Sequence, residues 1–170
     1  SDTYIEKDAS INEEIDKYRH AATQNLLTRR DVLIVASVSC IYGLGSVESY
    51  EELAFEIKVG DQMKRDTFLR RLADLQYTRS ALEFKNGMFH VLGDTVEIYP
   101  RDRDSIIRFE FFGDDIDRIS EADAFTGEEM EELESFKVFP AKHDVTTPEK
   151  IDNAINGIQP ELTERYEYLR

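Results

Sequence analysis

Tryptophan is absent from the 170 residues, cysteine occurs once, histidine three times and proline four times. The lone Cys40 excludes an internal disulfide and any multi-cysteine metal site, and nothing calls for an oxidising compartment, so a cytoplasmic location is expected. Long hydrophobic runs are missing too. The longest, Val32 to Val38 with Cys40 to Tyr42, is too short to span a bilayer, and the opening SDTYIEKDAS has no charged-then-apolar signal pattern. Basic charge is scarce: the net charge is −15, divided as −3 over residues 1–50, −10 over 51–141 and −2 thereafter. An acidic middle segment repels phosphate backbones, which points it toward a protein partner rather than nucleic acid.

What is present is a run of strands. From Phe89 to Ile119 the chain reads FHVLGDTVEIYPRDRDSIIRFEFFGDDIDRI. Val91, Val96 and Ile98 alternate with polar or small neighbours around Gly93-Asp94, and Ile107, Phe109, Phe111, Ile116 and Ile119 continue around Gly113-Asp114. Two consecutive hairpins predict an antiparallel sheet, with glycine supplying the positive φ of each short turn and aspartate tolerating the same region. Asn86-Gly87 predicts a further hairpin between Arg79–Phe84 and Met88–Val91. Glu52–Val59 is expected as a strand, Lys64–Leu75 as a helix presenting Phe68, Leu69, Leu72 and Leu75, and Phe136–Pro140 as a closing strand. The acidic Glu128–Glu134 reads as a solvated turn.

On either side the pattern changes. Ile11, Ile15, Tyr18, Ala22 and Leu26 predict an amphipathic helix over Asp8–Leu27, with Ser10 as N-cap and Glu13 completing a capping box. Val32–Ala36 is a continuous apolar run of the kind buried on both faces of a parallel sheet, followed by a loop, Ser37–Ser46, that reads as a plain turn. From Thr147, with Pro148 in the first turn, apolar residues from Ile151 to Leu169 keep helical spacing, and Pro160 is expected to kink or interrupt the helix. The expected fold class is α+β: an antiparallel sheet domain with packed helices over 53–141, preceded at 1–52 by a helix-strand piece and followed at 142–170 by a long helix. The chain lacks an initial Met and ends inside a helical pattern, so a piece of a longer protein is expected.

Catalytic constellations are thin. His20, His90 and His143 lie in different segments without metal-ligand spacing, Ser37, Ser39 and Cys40 sit in no nucleophile elbow, and no metal or catalytic residue is predicted. The loop carries a GxG but not the GxxxxGK[ST] that cradles phosphates. Arg79, Arg101, Arg103, Arg108 and Arg118 cluster in the acidic segment, arginine being a residue enriched in interface hot spots, and Glu97 and Glu110 are placed to pair with Arg79 or Arg108 across the sheet.

The stretches Asp2–Asp8, IVASVSCIYGLGS from Ile34 to Ser46, GDTVEIYP from Gly93 to Pro100 and IRFEFFGDDIDRI from Ile107 to Ile119 resemble the UvrB family over essentially the whole chain. UvrB is the helicase-like, damage-verifying subunit of bacterial nucleotide excision repair. A weaker likeness, limited to the middle segment, is to the UvrA-binding module of the transcription-repair coupling factor. The resemblance implies that 1–52 is a piece of a P-loop helicase domain including the end of its β-hairpin, that 142–170 opens an adjoining helical domain, and that 53–141 docks on UvrA through Arg79, Arg108 and Glu110, with His90 and Leu92 at two positions where the family reads FRVRGD and carries arginine. It implies DNA handling, in a full-length protein, by Tyr4, Glu6, Lys7 and Arg19, and a wider set of partners in damaged DNA and UvrC. ATP and magnesium would belong to the rest of such a protein: no Walker A segment, DExH box or arginine finger stands here, and no cofactor is expected in this piece. The competing expectation is a DNA-contacting fragment acting through residues 1–30, against which the charge argues.

Overall fold

Gly93 and Gly113 set the frame of the molecule. The computed structural model describes the backbone of residues 2–41 and 43–168, and side chains from residue 13 onward except at 148, 149, 156, 157, 159–161, 163, 164 and 167. Both glycines take positive φ, 61° and 63°, while Asp94 and Asp114 do not, so the two hairpin turns follow the type II′ pattern with glycine first. They close hairpins between β3 (Met88–Leu92) and β4 (Thr95–Tyr99), and between β5 (Ser105–Phe112) and β6 (Asp115–Asp123). The expected antiparallel sheet is therefore present, although the aspartates do not share the left-handed conformation expected of them.

A six-stranded sheet runs in the order β2-β3-β4-β5-β6-β7, with β2 at Thr78–Arg79 and β7 at Glu129–Leu133. Two strands differ from expectation. β2 is two residues long and pairs parallel to β3, so Asn86-Gly87 is no hairpin turn; Asn86 instead donates to the carbonyls of Pro100 and Arg103, tying this loop to the β4–β5 turn. The acidic run is a strand, not a turn. Pairing with β6 supplies its backbone bonds, and its charges suit an outermost strand, where they discourage further pairing. A separate two-stranded ribbon joins β1 (Phe55–Lys58) to β8 (Ser135–Val138), the expected closing strand.

α3 (Arg65–Asp74) covers one face of the sheet with Phe68 and Leu72. Phe68 is wholly buried, its ring centroid 4.9 Å from Phe109 and 5.6 Å from Phe111 and edge-on to Phe55 at 6.2 Å. Burial of one such ring contributes about 1.5–3 kcal/mol, and Phe68 meets three others. Ile57, Leu75, Ile98, Ile107, Ile116 and Ile119 complete this core.

Outside the sheet, α1 (Asp2–Thr28) starts well before Ser10, which is therefore an interior position rather than an N-cap. Residues 47–53, partly expected as strand, form α2 (Val47–Leu53), capped by Ser46 Oγ accepting from Ser49 N. Val32–Ala36 forms no strand, with Leu33 and Val35 about nine-tenths exposed, because the described residues offer it no neighbouring strand. A 3-10 turn at Val38–Ile41 follows. α4 (Pro148–Tyr168) begins at Pro148 as expected and passes Pro160 as one helix, without the interruption foreseen there. No helix among the described residues is long and apolar enough to cross a membrane.

Candidate functional site

Strand pleating sends alternate residues to opposite faces, so the face turned away from α3 collects the polar positions. Two cross-strand rows result. One reads His90, Glu97, Arg108, Ser120, Glu132; its neighbour reads Leu92, Thr95, Glu110, Arg118.

Glu97 is the buried centre of the first row, 5% exposed. A buried carboxylate requires a cation, and Arg108 Nε donates to its Oε1 at 2.6 Å. His90 Nε2 stands 2.6 Å from Glu97 Oε2 without an aligned hydrogen bond, and the Phe84 ring covers the imidazole at 4.1 Å. Arg118 organises the second row: it donates to Glu110 Oε2 at 3.2 Å, to Glu132 Oε2 at 3.3 Å and to Glu129. These bonds raise the Arg118 pKa, Glu129 and then Glu110 being the main causes, and Arg118 in turn holds Glu129 below the ordinary carboxylate range.

Four of the five residues expected to dock a partner, His90, Leu92, Arg108 and Glu110, thus share one face. Arg79 does not join them. It lies on β2 opposite Phe89, a core residue, so alternation sets it on the other side of the sheet, and among the described residues it makes no ion pair. Of the expected cross-strand pairs, Glu97–Arg108 forms, whereas Glu110 takes Arg118 rather than Arg79 or Arg108. Glu129 and Glu132 were concealed from sequence reasoning by the turn assigned to the acidic run; the alternation of β5 and β6 already put Phe112 and Arg118 on strands.

Arg19, expected at DNA, donates through Nε to the Cys40 carbonyl at 3.1 Å, linking α1 to the 3-10 turn, and lies 4.0 Å from Asp16. The side chains of Tyr4, Glu6 and Lys7 lie outside the described residues. Ser37 and Ser39 bond one another at 2.7 Å within that turn, as turn-stabilising hydroxyls.

Of the histidines, which lie in different segments of the sequence, His20 and His143 stack with centroids 3.8 Å apart and planes inclined by 30°. Tyr50 Oη lies 2.9 Å from His20 Nδ1, and Thr23 Oγ1, whose proton goes to the Arg19 carbonyl, lies 3.3 Å from His143 Nε2. Asp16 closes the group, 3.7 Å from His20 Nε2 and 3.9 Å from His143 Nδ1. With Asp16 these are three groups of metal-ligating type within 4.8 Å of one another. The arrangement suits a packed polar cluster better than a metal: stacked rings hold their in-plane lone pairs side by side instead of aiming them at one point, and Arg101 and Arg19 stand 3.9 and 4.0 Å from the Asp16 carboxylate. Burial lowers the pKa of both imidazoles, that of His20 to about 2.

The fold and this face define an α+β domain whose principal feature is a preorganised, charge-paired sheet surface. Residues 55–143 match the family described as UvrB interaction domain. Over its full length the chain is 57% identical to UvrABC system protein B of Geobacillus kaustophilus, 55% to that of Listeria monocytogenes and 54% to that of Staphylococcus aureus. It belongs to the UvrB family, and it spans about a quarter of the length of these relatives, 26% of each.

Proposed function

We propose that this chain is the non-catalytic docking module through which a UvrB-type subunit binds UvrA and is loaded at lesions in nucleotide excision repair. The observation that supports it is the row of charged residues fixed on rigid strands at the positions where the family resemblance expects UvrA contacts. The mechanism differs from free arginines reaching for a partner. Arg108 is consumed by the buried Glu97 and Arg118 by three carboxylates, so these arginines shape the surface while its exposed surplus is acidic. Identity extends across the segments outside 55–143, which favours UvrB over the coupling-factor module. Contacts with damaged DNA, to which Tyr4, Glu6, Lys7 and Arg19 of this chain would contribute, and with UvrC, we assign to a full-length protein, and nucleotide chemistry with ATP and magnesium to its other parts.

Calorimetric titration with UvrA from the same source, at two salt concentrations, tests the proposal. Arg108→Glu is a poor probe by itself, since leaving Glu97 buried beside a second carboxylate costs about 3–5 kcal/mol of stability. Glu110→Lys leaves the Glu97–Arg108 pair intact. We expect wild type to bind, more weakly as salt rises, and Glu110→Lys to lose about tenfold or more in affinity at low salt. A folded wild-type chain that does not bind would overturn the docking role.

A further inference from the structure

We infer that Phe112, with Leu92 two strands away, is the apolar anchor of this face, and that the UvrA surface it enters is an apolar socket rimmed by lysine or arginine. The inference deepens the docking proposal and rests on it. Phe112 and Leu92 are 78% and 60% exposed, on the same face and at the same end of the sheet, each adjoining a Gly-Asp turn, with Thr95 of β4 between Leu92 on β3 and Glu110, two residues before Phe112, on β5. A single exposed apolar side chain is ordinary, but two beside a charge imbalance form a surface with chemical character. One guanidinium, Arg118, answers three carboxylates, Glu110, Glu129 and Glu132, leaving two negative charges in surplus, and Glu132 is 65% exposed. An apolar centre bordered by unbalanced carboxylates is matched by an apolar pocket bordered by cations.

The ends of both hairpins are held in place before any partner arrives. Phe111 N donates to the Asp94 carbonyl at 2.9 Å, tying the first turn to β5, and Met63 N donates to the Asp114 carbonyl at 2.7 Å. Arg65 at the start of α3 donates to the Gly93 carbonyl and lies 3.7 Å from Asp94. Phe112 is thus presented from a fixed backbone, which reduces the entropy lost on docking.

Titration of UvrA with wild type, Phe112→Ser, Phe112→Leu, Phe125→Ser and the double variant Glu129→Lys/Glu132→Lys tests this. Phe125 is the control, 89% exposed but on the turn between β6 and β7. The expected result is at least about a tenfold loss for Phe112→Ser, partial recovery with leucine and no change for Phe125→Ser. The lysine double variant should weaken binding at low salt, the difference shrinking as salt rises. Melting curves matching wild type certify the fold of the Phe112 variants, since an exposed ring adds little to the core. Wild-type binding with undiminished affinity for Phe112→Ser overturns the anchor and leaves docking intact. Tighter binding by the lysine variant overturns the cationic rim, and absence of wild-type binding overturns both readings.

Discussion

At the scale of single residues, burial of His20 ties stability to pH. In the unfolded chain an imidazole titrates near 6.5, whereas the folded one, wholly buried beside His143, resists protonation down to about 2. Its folded pKa is depressed, so the stabilising contribution is full above about pH 6.5 and declines as pH falls below it, by about 1.4 kcal/mol per pH unit for one proton. His143 shifts in the same direction and adds to the decline. Denaturant melts between pH 7 and 5.5 should show His20→Gln with a shallower pH dependence than wild type; identical slopes would refute the buried neutral imidazole. Composition placed the three histidines in separate segments and stopped there. The meeting of His20 and His143 depends on the β8–α4 connection reaching α1, which no local pattern encodes.

At the scale of elements, the end of α3 shows a local rule met by an unexpected residue. Gln76 has φ 66°, with Gln76 N donating to the Ala73 carbonyl and Tyr77 N to that of Leu72, the bonding of a Schellman cap. Glycine ordinarily fills that left-handed position, and another residue there costs about 1 kcal/mol. Gln76→Gly should raise unfolding stability by up to about 1 kcal/mol, measured by denaturant midpoint, with the fold unchanged; a destabilised variant would show that the Gln76 side chain compensates for its strain. The termini of α3 were legible to within a residue or so from Phe68, Leu72 and Leu75, because a buried face at helical spacing is a local signal. β7 was not legible: five residues with three glutamates become a strand only because β6 provides an edge, and that edge is a tertiary fact.

At the scale of the whole molecule, a packed sheet coexists with a segment that has no partner. Val32–Ala36 takes part in no strand and in no recorded backbone hydrogen bond among the described residues, and Ile34, Val35 and Ile41 line an open apolar groove with Ile15, Tyr18 and Leu26 of α1. Amide hydrogen exchange on this chain should find residues 32–36 fast and β4 and β5 slow; strong protection at 32–36 in a monomer would mean that the run packs in a way not described here. Sequence alone determined the two Gly-Asp hairpins, the alternation that gives the sheet a core face and a polar face, the helix covering the core, and the exclusion of an internal disulfide. Each depends on turn geometry, on a period of two or 3.6 residues, or on residues simply not being there. Tertiary structure alone decided that β2 runs parallel to β3, that Arg79 lies apart from the charged rows, that Arg118 gathers three carboxylates and that His20 stacks on His143. Those outcomes depend on which distant strands and loops become neighbours, and such proximity is set by packing the whole core at once.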